Sequence, residues 1–150
     1  MNRWSEVAVT GMGSLYPQAG VMSAGGGRVL SGGRSSGAAA LNDAGWVIGS
    51  AESPGSASYG ILFDCCALPF FPAAINNALQ IVGQGSIWQD SVTASLTALV
   101  LDSTWQVSGA SAINERGQIA AYGVNTATGL RGAIRLDPVA SVGSAAARRR

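Results

Sequence analysis

Lysine and histidine are both absent from this chain of 150 residues, and its nine basic residues are all arginine. Without histidine, a serine or cysteine nucleophile lacks its usual general base, and a zinc ion lacks one of its usual ligands. Without lysine, the glycine-rich residues 25–28 (GGGR) cannot form the phosphate-binding loop Gly-x-x-x-x-Gly-Lys-Ser/Thr. We therefore expect no catalytic residues of these classes, no metal site and no bound cofactor.

Charged residues of either sign are scarce. They make up 11% of the chain, whereas about a quarter is typical of soluble domains. No basic residue lies between Arg34 and Arg116, although that stretch contains six acidic residues: Asp43, Glu52, Asp64, Asp90, Asp102 and Glu115. A nucleic-acid-binding surface needs a basic patch or stripe. The central part of the chain has the opposite sign, so we expect no nucleic-acid partner.

Long apolar runs are also missing. No stretch reaches the roughly 18 consecutive apolar residues of a membrane-spanning helix, so we expect no membrane span. Residues 1–6 (MNRWSE) are not followed by a continuous apolar segment of signal-peptide length. We expect either that the protein stays inside the cell or that its true N-terminus lies upstream.

The only two cysteines, Cys65 and Cys66, are adjacent. Adjacent cysteines can close only a small, strained ring, so they cannot join distant segments. We expect two free thiols on a strand, with one side chain facing inward and the other outward. A redox or metal-binding role is the alternative.

A ten-residue phrase occurs three times. It reads ALNDAGWVIG at residues 40–49, AINNALQIVG at residues 74–83 and AINERGQIAA at residues 112–121. Its asparagines are 34 residues apart (42 to 76) and then 38 apart (76 to 114). A period of this length is typical of repeat architectures, in which each unit buries its apolar face by stacking on a neighbour.

Each phrase is typical of a β-hairpin with a tight turn. Asparagine suits the first turn position because its side chain can bond to backbone two residues on, and glycine suits the left-handed position that closes the loop. The predicted structural turn residues are Asn42, Gly45, Asn76, Asn114 and Gly117. The second phrase has Leu79 in place of glycine, at a cost of roughly 1–2 kcal/mol. We expect its turn to be altered, or its hairpin to be the loosest.

The residues around the phrases complete a unit of about four short strands. Further strands are predicted at residues 59–64, 66–68, 85–90, 96–99 and 131–136. Apolar residues in 91–101 lack a sustained helical period, so a helix there is disfavoured. Four antiparallel strands every 34–38 residues is the pattern of a propeller blade, though slightly short.

Three regions follow from this organisation. Residues 1–37 are a glycine-rich irregular segment or a degenerate repeat, with candidate strands at 7–10 and 28–30 and none through the three glycines at 25–27. Residues 38–137 contain three repeats, and residues 138–150, which end in AAARRR, form a disordered tail. The predicted fold is all-β, either a partial β-propeller or an open array of three four-stranded blade-like repeats.

Aromatic and polar residues could also form a ligand surface. The aromatic candidates for a sugar-stacking platform are Trp46, Tyr59, Trp88, Trp105 and Tyr122. Such residues more often fill gaps between sheets, so core packing is the favoured interpretation. A ring of oxygens from Asp43, Asn77 and Glu115 could bind calcium, but no dense Asp-x-Asp-x-Asn-Gly loop occurs.

The phrases resemble the HAF repeat of bacterial extracellular repeat proteins, which typically reads A-x-A-I-N-D-x-G-Q-V-V-G, then H-A-F-L-W and D-L-G-T-L. Residues 61–64 (ILFD) and 87–88 (IW) resemble the F-L-W element, and residues 133–138 (AIRLDP) resemble the closing H-A-F-L-L-T-P. Residues 9–15 (VTGMGSL) resemble V-T-D-L-G-T-L. The histidine that names the motif is absent from every copy.

The resemblance implies a secreted, extracellular or periplasmic β-propeller-like scaffold and supplies no active site. We expect a non-catalytic structural or binding repeat protein whose glycan or protein ligand is unknown. Fewer than four blades seldom close a ring, so we expect self-association or missing blades. The alternative function is a polysaccharide hydrolase or lyase that uses a pair of the eight carboxylates.

Overall fold

The computed structural model describes residues 1–12, 16–30, 33–55 and 57–139, and within them the chain is almost entirely β-structure. Fourteen strands form four antiparallel sheets, and one helix of four residues lies among them. This confirms the all-β class. The tail at residues 140–150 and the end of the segment 9–15 lie outside the described residues.

The four sheets follow one another along the chain. The first contains β1 (Val7–Met12), β2 (Pro17–Ser23) and β3 (Gly26–Val29); the second contains β4 (Ser35–Leu41), β5 (Val47–Glu52), β6 (Ser58–Leu62) and β7 (Cys66–Leu68). The third contains β8 (Ala74–Ile75), β9 (Ile81–Gly83), β10 (Ser86–Gln89) and β11 (Val92–Ser95), which continues into α1 (Leu96–Leu99). The fourth contains β12 (Trp105–Ile113), β13 (Ile119–Asn125) and β14 (Arg131–Leu136). Every strand pairs with its sequence neighbour, so each sheet is a simple meander.

The sheets stack in series. The main contacts between sheets join β1 and β2 to β4, β4 to β8, and β8 and β9 to β12. Among the described residues, no comparable contact joins the first sheet to the fourth. Within the described part of the chain, the stack is therefore open at both ends.

The core consists of three apolar clusters, one at each joint between sheets. The first cluster lies between the first and second sheets: Ala19, Val21, Leu30, Val47 and Phe63. The second lies between the second and third: Ile48, Leu62, Leu68, Phe70, Ile75, Ile81 and Trp88. The third lies between the third and fourth: Val82, Leu96, Val107, Ala110, Ile119 and Ala121. Because each cluster draws on two neighbouring sheets, no sheet buries its apolar residues alone.

Several predicted elements differ from the structure. There are four sheets of three, four, four and three strands, not three units of four strands. Before residue 35, the described residues include the three-stranded sheet of β1, β2 and β3, and Gly26 and Gly27 lie inside β3, where the prediction allowed no strand. That strand is an exposed edge strand with no buried side chain, so its glycines lose no packing.

The predicted strand at residues 96–99 is also wrong, because these residues form the single helical turn α1. Leu96 is buried in the third cluster, and its N–H donates to the carbonyl of Gly85. The hydroxyl of Thr97 accepts the N–H of Val107 at 2.8 Å, which ties the turn to β12 of the next sheet. These contacts, one within the third sheet and one to the fourth, outweigh the weak local preference for a strand.

Candidate functional site

The repeated phrases form one turn in three copies. In each, the asparagine carbonyl accepts the N–H of the residue three positions on, at 3.0–3.1 Å, and the asparagine N–H donates to the carbonyl four positions on, at 3.0–3.2 Å. Gly45 and Gly117 close their turns with φ of 82° and 76°. The structure thus places Asn42, Asn76 and Asn114 at equivalent corners of the second, third and fourth sheets.

Leu79 does not change the turn in the second phrase. It adopts φ of 57°, and its N–H donates to the Asn76 carbonyl at 3.1 Å, as Gly45 does to Asn42. The expectation of an altered turn is therefore wrong. The half-buried Leu79 side chain packs against the second cluster, and this contact offsets part of the strain of a left-handed leucine. A looser hairpin stays a prediction.

A fourth copy of the turn begins at Asn2, which the sequence interpretation missed. The N–H of Ser5 donates to the Asn2 carbonyl and the N–H of Asn2 donates to the Glu6 carbonyl, both at 3.1 Å. Ser5 takes the glycine position with φ of 59°. The available signal was the asparagine followed five residues later by a valine, as at Asn42 and Val47.

The four asparagine side chains form a ladder along one edge of the stack, which we call the asparagine ladder (Asn2, Asn42, Asn76 and Asn114). The Nδ2 groups of the first three donate to the backbone carbonyl of the next asparagine: Asn2 to Asn42 at 3.2 Å, Asn42 to Asn76 at 3.0 Å, and Asn76 to Asn114 at 3.1 Å. Each Oδ1 accepts backbone N–H groups of its own turn. Only a side chain with both a donor and an acceptor can do this.

Most of the ladder is removed from water. Asn2, Asn42 and Asn76 are buried, whereas Asn114 at the end of the fourth sheet is exposed. Among the described residues, no buried side-chain nitrogen or oxygen lacks a hydrogen-bond partner. The ladder therefore joins the sheets with satisfied polar groups at the edge of an apolar stack.

A second row of bonds runs beside the ladder through the residue after each asparagine. The Asp43 carboxylate accepts the N–H of Arg3, Asn77 Oδ1 accepts the N–H of Asp43, and Glu115 accepts the N–H of Asn77, at 2.8, 2.8 and 3.0 Å. The backbone bond from Arg3 and the amide of Asn77 hold the pKa of Asp43 below its usual value. The side-chain oxygens of Asp43, Asn77 and Glu115, the candidate calcium ligands, thus accept hydrogen bonds from the preceding turn.

The two cysteines do not alternate across a strand. Cys65 is exposed in the turn before β7, and Cys66 is the first residue of β7. Their Sγ atoms lie 2.7 Å apart on the same side. Partial burial first, and the neighbouring thiol second, raise the pKa of Cys66 to about 11. Cys66 is therefore a poor nucleophile at neutral pH.

The aromatic candidates are divided between core and surface. Trp88 is buried in the second cluster, Tyr59 and Trp105 are half-buried, and Tyr122 is exposed on the fourth sheet. Trp46 follows the turn of the second sheet and is partly exposed. Core packing accounts for Trp88, and the aromatics do not form a single platform.

An apolar cleft of about 450 Å³ lies between α1 and the end of β14. Its walls are mainly Leu96, Leu99, Leu101 and Leu136, with Asp102, Arg135 and Asp137 at the rim. Hydrogen bonds from Thr104 hold the pKa of Asp102 below its usual value. Hydrogen bonds from the side chains of Gln118, first, and Arg135, second, lower the pKa of Asp137. Both groups are therefore carboxylates at neutral pH.

Comparison of the chain with protein-family models, with characterised proteins and with solved structures finds no match. Among the described residues, no three or more acidic or cysteine side chains gather into a group suited to hold a metal ion. No helix in that part of the chain has the length and apolar character to cross a bilayer.

Proposed function

We propose that this protein is a non-catalytic structural or binding repeat scaffold of HAF type, a β-propeller-like assembly that acts outside the cytoplasm on a glycan or protein ligand. The asparagine ladder is the observation that carries the proposal. It links four small sheets through one repeated contact, a construction suited to presenting a surface built from many units.

The chemistry of the cleft supports binding over turnover. Glycoside cleavage needs one carboxylic acid that keeps its proton at neutral pH, which requires a raised pKa. The two carboxyl groups at the cleft, Asp102 and Asp137, have pKa values shifted in the opposite direction. Asp102 bonds to Thr104, and Asp137 bonds to Gln118 and Arg135. Both carboxylates thus already accept hydrogen bonds from side chains of the fourth sheet or its adjoining loops.

The alternative function is a polysaccharide hydrolase or lyase that uses a pair of the eight carboxylates, of which Asp102 and Asp137 are the two at the cleft. The purified protein is incubated with a panel of neutral and acidic polysaccharides, and released reducing ends or unsaturated products are measured. In parallel, the same protein is applied to a glycan array. We expect no turnover. Turnover that any single Asp→Asn or Glu→Gln substitution abolishes would overturn the proposal. Loss with Asp102→Asn or Asp137→Asn, but not with Asp90→Asn, would place that activity at the cleft.

Location is tested separately. An antibody raised against the purified chain is applied to cytoplasmic, periplasmic and culture-medium fractions of the source organism, which the HAF resemblance implies is a bacterium. The HAF resemblance leads us to expect the protein outside the cytoplasm. Detection only in the cytoplasmic fraction would remove the extracellular part of the proposal.

A further inference from the structure

The two residues after each turn follow a simple rule at the inner joints. The first faces the preceding sheet and the second faces the following one. Val47 lies in the first cluster and Ile48 in the second. Ile81 lies in the second cluster and Val82 in the third. At each inner joint, the second residue after one turn therefore lies in the same cluster as the first residue after the next turn. Ile48 and Ile81 are such a pair.

The rule leaves one residue uncovered at each end of the stack. In the first sheet, Val7 is the first residue after the turn, and it faces away from the second sheet. It is 37% exposed, whereas the equivalent Val47, Ile81 and Ile119 are 2%, 0% and 6% exposed. In the fourth sheet, Ala120 takes the position that faces forward and is exposed. Its equivalents Ile48 and Val82 are fully buried.

Each uncovered residue belongs to a larger face. Val7 pairs with Met22 across β1 and β2, and Val9 and Val29 both pair with Gly20. Met22 is 49% exposed and Val29 is 70% exposed. We call this the leading face (Val7, Val9, Met22 and Val29). On the fourth sheet the trailing face has an apolar centre of Ala120, Tyr122 and Ala133, with Tyr122 paired to Ala133 and 54% exposed. The exposed Arg131 and Arg135 flank Ala133 on the same face of β14.

The asparagine ladder is also incomplete at both ends. Asn114 Nδ2 donates to its own Gln118 and, among the described residues, to no further turn. At the other end, the Asn2 carbonyl accepts the N–H of Ser5 but, within the described part of the chain, no asparagine amide. One end thus offers the donor, and the other offers the acceptor, of the bond that joins every inner pair.

One residue at each end of the row beside the ladder is charged, and the two charges are opposite. The row beside the ladder contains Arg3, Asp43, Asn77 and Glu115 in the order of the sheets. If the row continued from Glu115 into a second copy, the next residue would be the basic Arg3. A guanidinium has no acceptor for the N–H of Glu115, so the bond of the row would end there and the contact would be ionic. Opposite charges would adjoin where two turns meet, which favours this pairing over a joint between two identical ends.

We propose that the trailing face of one chain binds the leading face of a second copy, and that two copies close head to tail into a ring of eight sheets. A head-to-tail contact repeated by rotation closes a ring. Propellers typically contain about four to eight blades. Four sheets per chain allow one chain or two, and the single chain is open. This inference deepens the proposed function, on which it rests, by naming the partner.

The first test is the mass in solution, measured by light scattering and sedimentation at about 1–100 μM. We expect the wild-type chain to have twice the monomer mass. Val7→Asp puts a carboxylate in the leading face and should yield monomers. Val92→Asp is the matched control, because Val92 is an exposed valine on β11 outside both faces. A wild-type monomer throughout, a mass that keeps growing with concentration, or equal effects of the two substitutions would overturn the ring.

A charge exchange tests the joint without a buried substitution. Arg3→Glu alone and Glu115→Arg alone each place like charges at both joints of their homodimers, and we expect dimerisation about tenfold weaker in each. Mixing the two variants restores an opposite pair at both joints of the mixed dimer. We expect the mixture to regain wild-type dimerisation, and a mixture no better than its components would contradict this pairing. Circular dichroism checks that each variant keeps its β-structure.

The two proposals fail in different ways. A monomer without polysaccharide turnover removes the ring and leaves the scaffold function in place. A dimer that cleaves a polysaccharide keeps the ring and removes the non-catalytic function.

Discussion

The inner sheets and the end sheets share one turn and one meander, but they differ in what covers them. The second and third sheets have a neighbour on each face, and their paired residues, such as Ile81 and Val82, are fully buried. The first and fourth sheets have one neighbour each, and their outer residues, such as Val7 and Tyr122, remain exposed. The same local sequence pattern therefore contributes different stability according to its place in the stack.

The largest expected difference is in the apolar joints. Ile81→Ala removes a fully buried side chain from the second cluster, and we expect a loss of about 3–4 kcal/mol in the free energy of unfolding. Ile113→Ala removes a half-buried side chain from the fourth sheet, with an expected loss of about 1 kcal/mol. Urea denaturation followed by tryptophan fluorescence measures both. Equal losses would show that the end sheet is as tightly covered as the inner ones.

The asparagine ladder gives the second comparison. Asn76 is 1% exposed, accepts the N–H of Gln80 and donates to Asn114 and to the Gln80 side chain. Asn76→Ala leaves buried partners without a bond, so we expect a loss of about 3 kcal/mol. In the single chain, Asn114→Ala should cost about 1 kcal/mol or less, because water reaches the groups it leaves. The same urea titration applies.

The form of the Asn76 substitution also matters. Asn76→Asp keeps the acceptor for the N–H of Gln80 but loses both donor bonds. We expect it to be nearly as destabilising as alanine, because the Asn114 carbonyl and the Gln80 side chain lose their donor. If aspartate matched the wild type, the contact between sheets would contribute little and the turn itself would account for the stability.

The turns and most strands could be predicted from the sequence, because both depend on local chemistry. An asparagine, a glycine three residues on and an apolar pair define the hairpins at Asn42 and Asn114. The strand at 131–136 has the predicted bounds. The copy at Asn2 was missed because serine replaces glycine, and few other residues of the phrase are kept.

The ladder and α1 could not be predicted in the same way. A bond from Asn42 Nδ2 to the Asn76 carbonyl depends on how two sheets stack, and the turn motif alone is satisfied without it. Likewise, the helical turn at Leu96 is held by Gly85 of its own sheet and Val107 of the next. Contacts between residues ten or more positions apart decide both features, so local propensity carries no signal for them.

A smaller effect is expected at the one inner turn that lacks glycine. Leu79→Ala and Leu79→Gly both remove the packing against the second cluster, but only glycine relieves the positive φ. We therefore expect the glycine variant to be more stable than the alanine variant by about 1 kcal/mol. Gly45→Ala, with no atom closer than 3.9 Å to the new Cβ, should lose about the same amount. Equal thermal midpoints for the two Leu79 variants would argue that the left-handed turn is unstrained.

The smallest effect is expected in the row beside the ladder. The pKa of Asp43 is held below its usual value by the N–H of Arg3 and the amide of Asn77. A group with a lowered folded-state pKa stabilises the fold above its unfolded-state pKa, and this contribution is lost as pH falls through the folded-state value. Asp43→Asn keeps an acceptor oxygen, as Asn77 does, but removes the titration. Urea midpoints from about pH 7 to about pH 2.5 should fall less for the variant than for the wild type. If the urea midpoints of the variant and the wild type fell in parallel with pH, the bond from the Arg3 N–H would not favour an ionised carboxylate at position 43 over a neutral amide.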